Sequence, residues 1–186
     1  MNSYRIKIAG LERDLPLCKI SDDMYIGAFI MFGDVEITKA AASELLKIAP
    51  EHDIMITAEC KGVPLLYEMA RQENASNYIV ARKAEKVYMT DVITARVDSI
   101  TTAAEQTLYL GGEDAALLRG KRILIVDDVV STGESLAALE QLVALAGGKI
   151  VGKMCVLAEG DAIGREDLTY LQKLPLFHSD GTVMEA

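Results

Sequence analysis

The sequence predicts an α/β fold, a parallel sheet flanked by helices, and three observations carry that prediction. Short apolar runs alternate with segments of helical period. The run Ile123-Leu124-Ile125-Val126, with three β-branched members, has the make-up of a buried strand. Half of the 186 residues are apolar (51%), with no Trp, which suffices for one sizeable α/β core.

Each element follows in turn. Residues 4–10 alternate and predict a strand, and the apolar run 24–31 predicts another. Together residues 1–34 form a small N-terminal layer ahead of the main fold. Residues 35–48 predict a helix from the spacing of Ala40, Ala41, Leu45, Leu46 and Ile48, stopped by Pro50. Residues 53–58 predict a short buried strand. Residues 63–71 predict a helix with Pro64 in its first turn. Residues 77–82 predict a second strand.

The segment 86–110 breaks the alternation. Residues 87–90, 92–97 and 107–110 can pair as strands around polar connections, an excursion that Gly111-Gly112 ends. The strand 123–126 and an amphipathic helix at 134–146 follow, with Gly147-Gly148 as the stop. Residues 149–158 predict one more strand. The tail, 159–186, reads as irregular, with residues 174–177 packing back on the domain. One domain is expected: an N-terminal layer at 1–34, a core at 35–160 and a tail at 161–186.

Charge and cysteine content narrow the function. The net charge of −9 argues against a nucleic-acid groove. Cys18, Cys60 and Cys155 match neither a zinc pattern nor a disulfide framework, which points to reduced thiols. The N-terminus carries no long apolar run, and no stretch is long enough to span a bilayer, so a cytoplasmic protein is expected. His52 and His178 are isolated, and no nucleophile constellation is visible.

The segment 123–135, I-L-I-V-D-D-V-V-S-T-G-E-S, is the most informative. A buried strand leads into two carboxylates, Asp127 and Asp128. A small-residue loop, Ser131-Thr132-Gly133-Glu134-Ser135, then opens a helix. Ligands of open parallel sheets sit beyond the carboxyl ends of the strands. A helix N-terminus after such a loop favours phosphate through its N–H groups and dipole. Thr132 and Ser135 add hydroxyl donors. Carboxylates repel phosphate, so Asp127 and Asp128 must face hydroxyls or a cation, and a ribose diol fits. A phosphate beside a diol is a ribose 5-phosphate.

This run strongly resembles the motif of type I phosphoribosyltransferases that binds 5-phosphoribosyl-1-pyrophosphate (PRPP). The resemblance implies the type I fold, with a flexible loop and a small hood built from both termini. It implies that residues 131–135 hold the 5-phosphate and that Asp127 and Asp128 hold the ribose hydroxyls as the catalytic pair. Glu59-Cys60-Lys61-Gly62 is similar to the family's pyrophosphate loop, with Lys61 where Arg is common, which keeps the charge but loses the bidentate fork. Arg82-Lys83, with Lys86, resembles the pair that contacts the PRPP phosphates. The excursion after it would be the loop that closes over the site and excludes water.

The implied partners are PRPP, brought with Mg²⁺, and a purine base, with no dedicated protein metal site, no nucleic acid and no membrane. A homodimer is expected by analogy. Residues 80–91 are similar to xanthine enzymes, as is the strand ending Val156-Leu157-Ala158-Glu159-Gly160. In enzymes for 6-oxopurines a Lys there donates to the oxo group, and here the place is Gly160. Phe32-Gly33-Asp34 loosely resembles the F-x-D segment of adenine enzymes, where an aromatic ring stacks on the base. Phe32, Val129 and Glu159 are the candidate base contacts. Adenine is the preferred base. A xanthine or hypoxanthine enzyme and a non-enzymatic PRPP-sensing regulator stand as alternatives.

Overall fold

A computed structural model describes residues 3–97 and 106–184. In chain order the elements are β1 (Ser3–Ile8), β2 (Leu11–Lys19), β3 (Tyr25–Gly27), α1 (Val35–Ile48), β4 (Ile54–Ala58), α2 (Val63–Gln72), β5 (Ile79–Ala81), β6 (Ile93–Val97), β7 (Gln106–Leu110), α3 (Gly112–Leu118), β8 (Arg122–Val130), α4 (Glu134–Ala146), β9 (Lys149–Glu159), β10 (Thr169–Leu174) and β11 (Leu176–Phe177). No helix among the described residues is long and apolar enough to cross a membrane.

The central sheet has the order β10-β9-β8-β4-β5, and each of its pairings is parallel. Side-chain alternation divides its residues between two faces. Ile123 and Ile125 point to one core with Leu136, Leu139, Leu142 and Val143 of α4. Leu124 and Val126 point to the other, with Ile37, Ala41 and Leu45 of α1 and Leu65 and Met69 of α2. A sheet covered on both faces explains why its middle strand reads as one continuous apolar run.

A second sheet, β1-β2-β3-β11, joins the two termini into a hood over the α1 side. The N-terminal layer is therefore completed by the tail, through Leu176 and Phe177 opposite Ile26 and Tyr25. The tail is less irregular than the sequence suggests. Its segment β10 lies parallel to β9 as the sheet edge, and its polar alternation is what hides it from an apolar pattern. Three more elements differ from expectation. Pro16 obscures β2, although its carbonyl is used, accepting from Ala28 N. The seven-residue α3 follows Gly111 directly and is too short to show a period. Strand β3 is three residues rather than the whole run 24–31.

The excursion is an antiparallel hairpin, β6 and β7, tied to the end of β5 by a bridge between Arg82 and Tyr109. Residues 87–90 form a turn rather than a strand, closed by Met89 N donating to Lys86 O, and no strand among the described residues pairs with them. The part of the expected closing loop at residues 98–105 lies outside the described residues.

Hood and core are locked at the start of α1. Asp34 caps that helix, its Oδ1 accepting from Ile37 N at 3.0 Å. Arg13 of β2 grips the same carboxylate at 2.6 and 3.1 Å and reaches Glu36 at 2.8 Å. Asp34→Ala removes both the cap and the grip, and should lower stability by about 1–2 kcal/mol. Urea unfolding measures this directly, and an unchanged midpoint would refute the role assigned to Asp34.

Candidate active site

The parallel strands β4, β8 and β9 deliver their carboxyl ends to one edge of the sheet, where ligands of such sheets bind. The acidic pair lies within β8 rather than after it. Strand β9 runs alongside as far as Ala158, opposite Val130, and so keeps β8 extended past Val126. Strand β4 pairs with β8 only through Ile123–Ile125. Beyond that point the β4 side of β8 meets the loop that follows β4, and the two acids stand against it.

Asp127 Oδ1 accepts from Asp128 N at 2.9 Å. Asp128 is only 2% exposed. Lys61 Nζ stands 3.7 Å from Asp128 Oδ2, close enough for ion pairing but outside hydrogen-bond reach, so that buried oxygen has no hydrogen-bond partner among the described residues. Burial, and then the neighbouring Asp128 charge, push the Asp127 carboxyl well above the usual carboxylate range, with Lys61 opposing. A buried acceptor without a donor is costly unless a ligand completes it. Hydroxyl groups or a hydrated cation suit this pair.

The loop after β4 brings the second part. The Glu59–Cys60 peptide is cis, and Cys60 and Lys61 are exposed. A Cβ on Gly62 would collide with Thr57 Oγ1 and lie 2.9 Å from Asp127 Oδ1, so only glycine lets this loop close on β8. Thr57 Oγ1 is itself buried without a hydrogen-bond partner. Thr57 was not singled out from the sequence, since a Thr inside a β-branched strand reads as ordinary strand filling.

Arg82 and Lys83 converge on the same loop. Arg82 Nε and Nη2 hold Glu59 at 3.2 and 3.3 Å, and Nη1 donates to Tyr88 OH at 2.7 Å. Lys83 N donates to Glu59 Oε2 at 3.0 Å. The Arg82 guanidinium thus braces the loop through Glu59, while Lys83 and Lys86 add cationic charge beside it.

The segment 131–135 forms a cradle of about 130 Å³ with Asp127 and Val129, room for a tetrahedral oxyanion. Gly133 has φ +82° and brings no side-chain acceptor to the first turn of α4. A larger cleft of about 580 Å³ shares Ser131 and Thr132 with the cradle. Its hood wall is apolar, from Ile20, Met24, Ile26 and Leu176. Its core wall is Glu159, Gly160 and Asp161, and no Lys or Arg lines it among the described residues. Burial raises the Glu159 carboxyl, with the Lys61 charge opposing.

Most expected site residues therefore meet: Asp127, Asp128, Cys60, Lys61, Gly62, Val129, Glu159 and residues 131–135. Phe32 is not brought to the cleft. It is half exposed (49%) in the turn before α1. The hood wall has no sequence signature, because Ile20, Met24 and Leu176 come together only through pairing of the two termini. Among the described residues no group of three or more His, Cys, Asp or Glu could hold a metal ion.

The phosphoribosyl transferase domain family matches residues 34–176 of this chain. The hypoxanthine/guanine phosphoribosyltransferase of Methanococcus voltae is 32% identical over 121 residues, which span 65% of this chain and 60% of that protein's length. The xanthine phosphoribosyltransferase of Streptococcus equi subsp. zooepidemicus is 29% identical over 160 residues, 82% of this chain and 73% of that protein. The adenine phosphoribosyltransferase structure from Rhodothermus marinus superposes with a TM-score of 0.66 at 20% identity, covering 93% of this chain and 94% of that one. At that identity the likeness is one of fold.

The acidic pair has a cost that pH exposes. The native state holds a proton on Asp127 more tightly than the unfolded chain does. That contribution is complete below the ordinary carboxylate pKa and is lost as pH rises through the raised native value. Asp127→Asn should therefore be more stable than wild type at pH 8, with the gap shrinking toward pH 4. Thermal melts across that range measure it, and a gap that widens on acidification would exclude this account.

Proposed function

This chain belongs to the phosphoribosyltransferase family, and from that premise we propose that it transfers the phosphoribosyl group of PRPP to a purine base, adenine in the first place, releasing pyrophosphate. The observation that carries the adenine reading is the core wall of the cleft: Glu159 and Asp161 offer carboxylates, Gly160 offers no side chain, and no cation is present among the described lining residues. A 6-oxopurine presents a carbonyl that such a wall leaves without a donor. Adenine presents an exocyclic amine that a carboxylate or backbone carbonyl accepts.

The roles follow from position. The cradle of residues 131–135 takes the 5-phosphate at the start of α4. Asp127 and Asp128 take the ribose hydroxyls, which would supply the donors that Asp128 Oδ2 lacks. The loop of Cys60, Lys61 and Gly62 takes the pyrophosphate, with Arg82, Lys83 and Lys86 beside it. Lys61 then exchanges Asp128 for the phosphate oxygens. The base lies under the hood, in line with the departing pyrophosphate across the anomeric carbon. Positive charge builds on the ribose in the transition state, as in glycosyl transfer, and the buried carboxylates below it stabilise that charge.

Mg²⁺ suits this set as a partner of the substrate rather than of the protein. Two carboxylates are too few for a closed protein site, and Mg²⁺ is commonly held by one or two carboxylates with substrate phosphates. Bound with PRPP, it supplies charge neutralisation for the leaving pyrophosphate. Val35 and Tyr67, exposed beside a groove between α1 and α2, offer apolar surface for a homodimer.

A second reading rests on the named relatives, which are hypoxanthine/guanine and xanthine enzymes. Pyrophosphate release with PRPP, Mg²⁺ and each of adenine, hypoxanthine, guanine and xanthine separates the two. Release with adenine alone is expected. Release with a 6-oxopurine and not adenine would overturn the base assignment. PRPP binding without release with any base would make the chain a PRPP-sensing regulator.

A further inference from the structure

The cradle at residues 131–135 is lined by carboxylates, hydroxyls and backbone. Among the described residues its lining holds two carboxylates, Asp127 and Glu134, and no Lys or Arg. One cation nevertheless lies directly on its wall. A Cβ built on Gly133 would fall 2.7 Å from Arg165 Nη1, so the guanidinium occupies the space that any side chain at position 133 would need. Gly133 is constrained by its φ of +82°, and the guanidinium end of Arg165 packs against its open side.

Arg165 is not a loosely placed surface cation. Its Nε and Nη2 bind the two oxygens of Asp167 at 3.0 and 2.9 Å. Asp167 is shared with Lys153 of β9, and Lys153 Nζ also binds Glu140 of α4 at 2.8 Å. The Asp167 carboxyl is held well below the usual range by Arg165 first and Lys153 second. The network fixes one edge of the guanidinium on Asp167 and directs Nη1 to the loop. It also ties the turn between β9 and β10 to the helix whose N-terminus carries the cradle.

We propose that Arg165 is a positioning residue of the phosphate loop, bracing Gly133 in its left-handed conformation and setting a fixed positive charge against the wall of the cradle. The inference rests on the reading that this cradle takes the 5-phosphate of a phosphoribosyl ligand. It assigns phosphate binding to a residue that contributes nothing to the acidic pair or to the base cleft.

Calorimetry with ribose 5-phosphate and with inorganic pyrophosphate tests the proposal on wild type, Arg165→Gln and Arg165→Lys, alongside their melting temperatures. Arg165→Gln should weaken ribose 5-phosphate by a few-fold, less than a lost direct contact, because Arg165 acts from outside the cradle while paired to Asp167. Pyrophosphate affinity should be unchanged, because Lys61 and the loop after β4 do not touch Arg165. Arg165→Lys should recover part of the loss through its charge. In turnover, the KM for PRPP should rise with the KM for the base unmoved. Unchanged ribose 5-phosphate affinity in Arg165→Gln would overturn the proposal. So would equal weakening of both ligands with a lowered melting temperature, which marks general damage. If wild type binds pyrophosphate but not ribose 5-phosphate, the cradle reading itself falls, and the brace with it.

Discussion

Two adjacent carboxylates on a buried strand are the constraint around which this protein is arranged. Placing like charges side by side away from water opposes folding, and the Asp127 carboxyl responds by holding its proton more tightly. The surroundings offset this only in part. Asp128 N donates to Asp127, and Lys61 approaches Asp128 without reaching hydrogen-bond distance. The remaining unmet acceptor capacity of this pair suits hydroxyl groups, as the proposed ribose ligand would supply.

The parallel sheet makes that cost bearable. Strand β8 is sealed between two apolar layers, and β9 keeps its backbone paired through the acidic positions. On the other side β4 stops pairing at Ile56, and its loop turns over the acids through Gly62. One unequal strand length thus creates both the extended platform for the carboxylates and the gap that the loop after β4 fills. The hood adds the third wall, and because it is made from both ends of the chain, the cleft exists only when the whole domain is folded.

The phosphate side is built on different physics. It uses a helix N-terminus, small residues and a left-handed glycine, beside the Arg165–Asp167–Lys153–Glu140 network. Separating anionic, diol-binding groups from the anion-binding loop by a few residues of one strand–turn–helix unit lets a single ligand satisfy both at once.

The α/β class, both long helices of the first half, strand β8, helix α4 and the strand–acid pair–loop–helix order of residues 123–135 were determined by the sequence itself, because local signals encode them: a β-branched run, a helical period, and acids and small residues at fixed offsets. The elements that escaped it, β2, α3, β10 and β11, are short, polar or broken by Pro16, and they exist through pairing with distant partners rather than through their own pattern. The same reason governs the site. Asp127, Lys61 and residues 131–135 are legible because each lies in a contiguous motif. The collision that makes Gly62 obligatory, the unmet hydroxyl of Thr57, the displacement of Phe32 from the cleft, the hood wall and the contact of Arg165 with Gly133 join residues far apart in the chain. Only tertiary structure decides these, since they depend on distances that sequence spacing does not contain.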